Sequence, residues 1–141
     1  MSLTLAREAA FRAIFQLDFC QNVEDEDRET YENLAVQTAT EEFPKLSEKN
    51  LFLVENNVKG TMSHLEDIDE IIQKNLKKGW TLKRLATADR NILRLAVYEM
   101  KFAEEKLSAG IAINEAVNLA KKYGTDNSGK FVNGILDAVS K

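Results

Sequence analysis

Apolar residues return every three or four positions along almost the whole chain, the spacing that places them on one face of an α-helix. From Leu5, the positions Ala9, Ala10, Ala13, Ile14 and Leu17, joined by Phe11 and Phe15, describe a wide apolar stripe. Asn22 and an acidic run interrupt it. A second helix is expected from about Glu29 to Glu42, with Tyr31, Leu34, Ala35, Thr38 and Ala39 turned inward. Pro44 ends it, because proline disfavours helix in the residue before it. Ser47 can cap a third helix, which carries Leu51, Phe52, Val54, Val58 and, near its end, Gly60.

Ser63-His64-Leu65-Glu66 has the form of a capping box. It predicts a helix with Leu65, Ile68, Ile71, Ile72 and Leu76 that stops at Gly79. Trp80 to Ala86 reads as a short helical connector, and Thr87 as the cap of a helix bearing Ile92, Leu93, Leu95, Ala96 and Met100. Two further helices span Ala112 to Val139, joined by the polar corner KKYGTDNSGKF. Short connectors between so many helices predict a compact antiparallel bundle. One all-α domain over residues 1–141 is expected, with two helical subgroups meeting near Gly79 to Thr87.

Composition narrows the function classes. The chain has 141 residues, 44% of them hydrophobic, with one proline and six glycines, a balance that suits long helices. Cys20 is the lone cysteine, so no internal disulfide is possible. No run approaches the roughly 20 apolar residues of a membrane span, and no signal-peptide pattern opens the chain. No membrane association and a cytoplasmic setting are therefore expected. The net charge of −4 is unevenly spread. Glu24, Asp25, Glu26, Asp27, Glu29 and Glu32 crowd one segment, whereas Lys74, Lys77, Lys78, Lys83, Arg84, Arg90 and Arg94 face only Asp89 in another. Local field, more than total charge, governs the approach of a phosphate ligand.

Catalytic groupings are missing from the pattern. His64 has no second histidine at ligand spacing, and Cys20 has no motif that would activate a thiolate. The acidic run lacks the alternating ligands and central glycine of a calcium loop. GTDNSG follows a helix and lacks the lysine-serine ending of a phosphate-binding loop. The chain reads as a binder without enzymatic activity and without a cofactor or metal. Asn114, Glu115, Asn118, Asn133 and Asp137 interrupt apolar helical spacing, and the favoured reading has Asn114 and Asn133 tying adjacent helices together. Gly134 inside the last helix costs about 1 kcal/mol against alanine, which close helix packing would justify.

At INEAVNLAKKYGTDNSGKFVNGILD the sequence resembles the C-terminal signature of the NusB family of bacterial transcription antitermination factors. ADRNILRLAVYEM is similar to the family's D/E-R/K-x-x-LR-x-A-x-YE helix, and VKGTMSHLEDIDEIIQKNLKKGW and AREAAFRAIFQLDF resemble its central and first helices. The resemblance implies about seven helices and binding of boxA-type RNA together with NusE, a ribosomal small-subunit protein. It also implies action on a transcribing RNA polymerase complex. Carried over by position, Arg7 and Phe15 on the first helix, and Lys130 and Phe131 after the corner, match RNA-binding positions of the family. Lys121, Lys122 and Asn127 complete the proposed wall of that RNA site. Asp89 matches an acidic position used against NusE, while Tyr98 and Glu99 read as structural.

Departures from the family pattern bear on affinity. Leu3, Thr4 and Leu5 stand where relatives often carry arginines, and the opening MSL resembles a leader added for expression. Weaker RNA binding than a full basic arm would give is expected. Asn127 replaces a common acidic residue, which should lessen repulsion of phosphate. The family's relatives include monomers and homodimers. A second reading is a helical protein-interaction module with little RNA affinity. The fold also resembles the N-terminal domain of ribosomal RNA methyltransferases, but residues 1–141 hold no glycine-rich cofactor-binding segment or catalytic cysteine region, so this chain alone is not expected to be that enzyme.

Overall fold

The computed structural model describes residues 2–20 and 24–141, so Asn22 and Met1 fall outside the described residues. Among the described residues, seven α-helices follow one another: α1 (Ser2–Asp18), α2 (Arg28–Glu41), α3 (Glu48–Ser63), α4 (Leu65–Lys74), α5 (Thr87–Val97), α6 (Ala109–Tyr123) and α7 (Ser128–Ser140). Short 3₁₀ turns cover Asp25–Asp27 and Leu82–Arg84, and a π-turn over Tyr98–Phe102 extends α5. No strand occurs among the described residues. None of their helices is long and apolar enough to cross a membrane.

The alanines of α1 explain its place at the centre. Ala6, Ala9, Ala10 and Ala13 are fully buried, and their small side chains let α2, α3 and α5 approach the helix closely. Ile14 and Leu17 complete the stripe. On its other side α5 carries α4, α6 and α7, and α6 and α7 form a hairpin. Thus the two subgroups meet along α1 and α5, while the Gly79–Thr87 connector lies within the second. Ile68, Ile72, Ile92, Leu93 and Leu136 are withdrawn from water, each burial contributing roughly 1.5–3 kcal/mol.

An ionic cluster crosses this seam. Asp18 at the end of α1 accepts from Arg90 Nη2 at 2.6 Å, Asn91 Nδ2 at 3.0 Å and Arg94 Nη1 at 3.2 Å. Arg94 also grips Asp69 of α4 through two bonds of 2.8 and 2.9 Å. Burial alone would raise the Asp18 carboxyl, but the bonds from Arg90 and Asn91 and the charge of Arg94 outweigh it and hold it below its ordinary value. Two cations of the basic segment are therefore internal struts.

Several local expectations change in three dimensions. Ser47 caps α3 as expected, accepting from Asn50 N at 3.2 Å. Ser63 does not cap α4: α3 runs through it, and its hydroxyl donates to Gly60 O at 3.1 Å. His64 takes the cap position, but its side chain makes no bond to α4; its Nδ1 lies 2.9 Å from Gly60 O instead. On α2 only Ala35 and Ala39 are buried, and Tyr31, Leu34 and Thr38 face outward. Asn114 and Asn133 are exposed and do not tie helices together, because their positions fall on the outer faces of the α6–α7 hairpin. A Cβ on Gly134 would meet nothing within 4 Å, so close packing does not account for this glycine.

Candidate nucleic-acid interface

Gly124 makes the α6–α7 corner possible. Its N–H closes α6 on Ala120 O at 2.8 Å, and a Cβ there would stand 2.4 Å from Ser128 Oγ and 2.8 Å from Ala120 O. No other residue fits without moving backbone. Ser128 Oγ then accepts from Thr125 N at 2.9 Å, fixing the turn that starts α7. Asn127 sits at the cap position, exposed, with its carbonyl accepting from Phe131 N at 3.1 Å. Ser128 N already donates to Thr125 O at 3.0 Å, and the N–H groups that follow it, with the positive end of the helix dipole, face outward as at any such start.

Two concavities flank this start. A cleft of about 430 Å³ is lined by Lys121, Thr125, Asp126, Gly129, Lys130 and Asn133, among others. On the other side a groove of about 650 Å³ runs past Trp80, Arg84, Leu85, Asp89, Asn127 and Phe131. Lys130 borders both. Phe131 is half-buried: its ring packs against the core and also lines the groove. The Arg84 guanidinium lies 5.0 Å from the Trp80 ring centre, a cation stacked on an aromatic face at the groove's rim.

Asp89 lies in the first turn of α5, in the same groove. It is only 9% exposed, and its Oδ1 has no hydrogen-bond partner among the described residues. A buried carboxylate oxygen without a donor is costly. A donor from a bound molecule would relieve that cost.

Lys122 faces elsewhere, toward α1. Its Nζ lies 2.6 Å from Glu8 Oε2, and Tyr123 donates its hydroxyl hydrogen to the same carboxylate while accepting from Arg12 Nε at 2.8 Å. Burial pushes the Glu8 carboxyl up, yet the bonds from Lys122 and Tyr123 outweigh it and hold it below the ordinary value. Arg12 also lies 5.3 Å over the Phe43 ring and 5.6 Å over the Tyr123 ring. Lys122 keeps its exposure, but much of its charge is answered within the protein.

Arg7 does not reach the surface. It is 1% exposed, its Nε donates to Glu99 Oε2 at 3.0 Å, and its Nη2 lies 2.7 Å from the same oxygen. The RNA role expected for it is corrected to an internal ion pair, because its position on α1 faces α5 and the π-turn. Burial pushes the Glu99 carboxyl up to about 7, against the pull of Arg7. Phe15 is half-buried in an edge-to-face row, 5.8 Å from Phe11 and 5.5 Å from Phe19; Phe11 in turn lies 4.9 Å from Tyr123.

The structure therefore brings Lys121, Asn127, Lys130, Phe131 and Asp89 around one helix start, and leaves Lys122 and Phe15 on the α1 side. Trp80, Arg84 and Asn133 were not among the expected site residues. The basic run ending at Arg94 pointed at the first two, and the unexplained asparagine at the third.

The NusB family profile matches residues 4–141. The transcription antitermination protein NusB of Desulfitobacterium hafniense is 42% identical over 139 residues, covering 99% of this chain and 88% of the relative. The solved structure of T. maritima NusB superposes with a TM-score of 0.80 at 37% identity, over 98% of this chain and 89% of that one. A crystal structure of the antitermination factors NusB and NusE in complex with double-stranded RNA is similar at a TM-score of 0.81. It shows 29% identity and covers 99% of this chain and 96% of the other. With the profile running through both the α1 stripe and the α6–α7 corner, the chain belongs to the NusB family.

Proposed function

We propose that this protein is a transcription antitermination factor that binds boxA-type RNA together with NusE and acts on a transcribing RNA polymerase complex in the cytoplasm. The observation that carries the reading is the arrangement at the start of α7. Two exposed lysines, Lys121 and Lys130, border a cleft beside a half-exposed aromatic ring, Phe131. Lysines serve phosphates, an aromatic face serves an unstacked base, and Asn127, Asn133 and Thr125 suit base edges. Asp89, with its oxygen short of a donor, would receive a basic or amide group of NusE from the groove. The function is binding and assembly, without a chemical reaction.

A gel-shift titration with boxA-like single-stranded RNA, with and without NusE, tests the reading. RNA should bind weakly alone and more tightly with the partner. Asp89→Asn should weaken the joint complex roughly tenfold and leave RNA binding by the isolated protein unchanged. Absence of RNA binding under both conditions would leave only the protein-interaction module.

A further inference from the structure

We propose that a second groove, between α2, α3 and the turn after the Tyr98–Phe102 segment, receives a basic polypeptide segment of a partner protein. This goes beyond the RNA reading and stands without it. The groove encloses about 830 Å³ and shares no lining residue with the cleft or groove at α7. Glu29 and Glu32 of α2 face Glu104 and Glu105 of the turn, against Arg28 and Lys59. Lys59 is already engaged by Glu55 at 3.1 Å. Exposed Glu24, Glu26 and Asp27 lie just before α2 and add to the negative field. Such a face repels phosphate and attracts cations.

Two further observations select a polypeptide. Asn57 borders the groove, is 4% exposed, and its Nδ2 has no hydrogen-bond partner among the described residues. An amide donor needs an acceptor, which a peptide carbonyl supplies and a simple polyamine lacks. Phe52 borders the same groove with 65% of its surface exposed. An exposed aromatic at a charged groove offers an apolar anchor to a partner side chain. Burial raises the Glu32 carboxyl above its ordinary value, so an arriving lysine or arginine would compensate an ion that water solvates poorly.

The test uses a fluorescein-labelled dodecapeptide that repeats lysine, leucine, lysine and serine, read by fluorescence anisotropy at low salt. One-to-one binding is expected. Joint replacement Glu104→Lys and Glu105→Lys should weaken it roughly tenfold, and Phe52→Ala roughly threefold. These side chains are exposed, so melting curves and boxA-like RNA affinity should match the parent protein. The proposal is overturned if the charge-reversed variant keeps its peptide affinity, or if the glutamate-for-lysine peptide binds equally. It is also overturned if spermine competes as well as the peptide. Sedimentation on the same variants checks the remaining occupant: a dimer that the charge reversal dissolves would assign the groove to a second copy of this chain.

Discussion

Replacing Phe131 by alanine separates two roles that its ring combines. A fully buried phenylalanine costs roughly 3–5 kcal/mol when cut to alanine. Phe131 is half-buried, so about 2 kcal/mol of stability should be lost, a fall in melting temperature of roughly 6 °C for a chain this size. The half that lines the groove should cost RNA binding separately. Stacking of one base is worth about 1–3 kcal/mol, equivalent to a roughly 5- to 150-fold weaker Kd. These losses do not confound each other. Domains of ordinary stability hold about 5–15 kcal/mol, so a loss of 2 leaves nearly every molecule folded. Thermal melting and RNA anisotropy on the same sample read both numbers. Native RNA affinity alongside the lower melting temperature would refute stacking and make the ring purely a packing group.

Lys130→Ala should weaken all single-stranded RNAs alike and flatten the dependence of log affinity on log salt by about 0.7, one phosphate contact; an unchanged slope would remove Lys130 from the RNA path. Asp18→Asn leaves Arg90 and Arg94 beside a neutral group at the seam and should cost roughly 3–5 kcal/mol in denaturant titration, with a shift under 1 kcal/mol arguing that the cluster is replaceable. Glu99 should make the protein less stable as pH rises from about 4.5 to 7. In that window the native state retains a proton that the unfolded chain has released, and stability therefore falls, by at most about 3 kcal/mol. Melting Glu99→Gln beside the parent at pH 5 and pH 8 isolates this contribution. The parent should lose ground to the variant as pH rises, and a constant gap would show that Glu99 stays ionised against Arg7.

Helical periodicity located all seven helices because amphipathic spacing is a local signal, carried within each segment. Ser47 and Pro44 set boundaries for equally local reasons. The family signature around the α6–α7 corner was legible in the same way, and the folded chain gathers Lys121, Asn127, Lys130 and Phe131 where that stretch turns. Tertiary structure decided the rest. Arg7, Arg90 and Arg94 are indistinguishable from surface cations in the sequence, and only the packing of α1 on α5 makes them internal partners of Glu99 and Asp18. Tyr31 and Leu34 follow an inward spacing on α2, yet face outward because burial depends on which neighbour a helix finds. Trp80 and Asp89 enter one groove with Phe131 although far from it in sequence. Periodicity names the face a residue occupies; the surroundings of that face, and hence whether a charge is a strut or a ligand site, are set by contacts between distant segments.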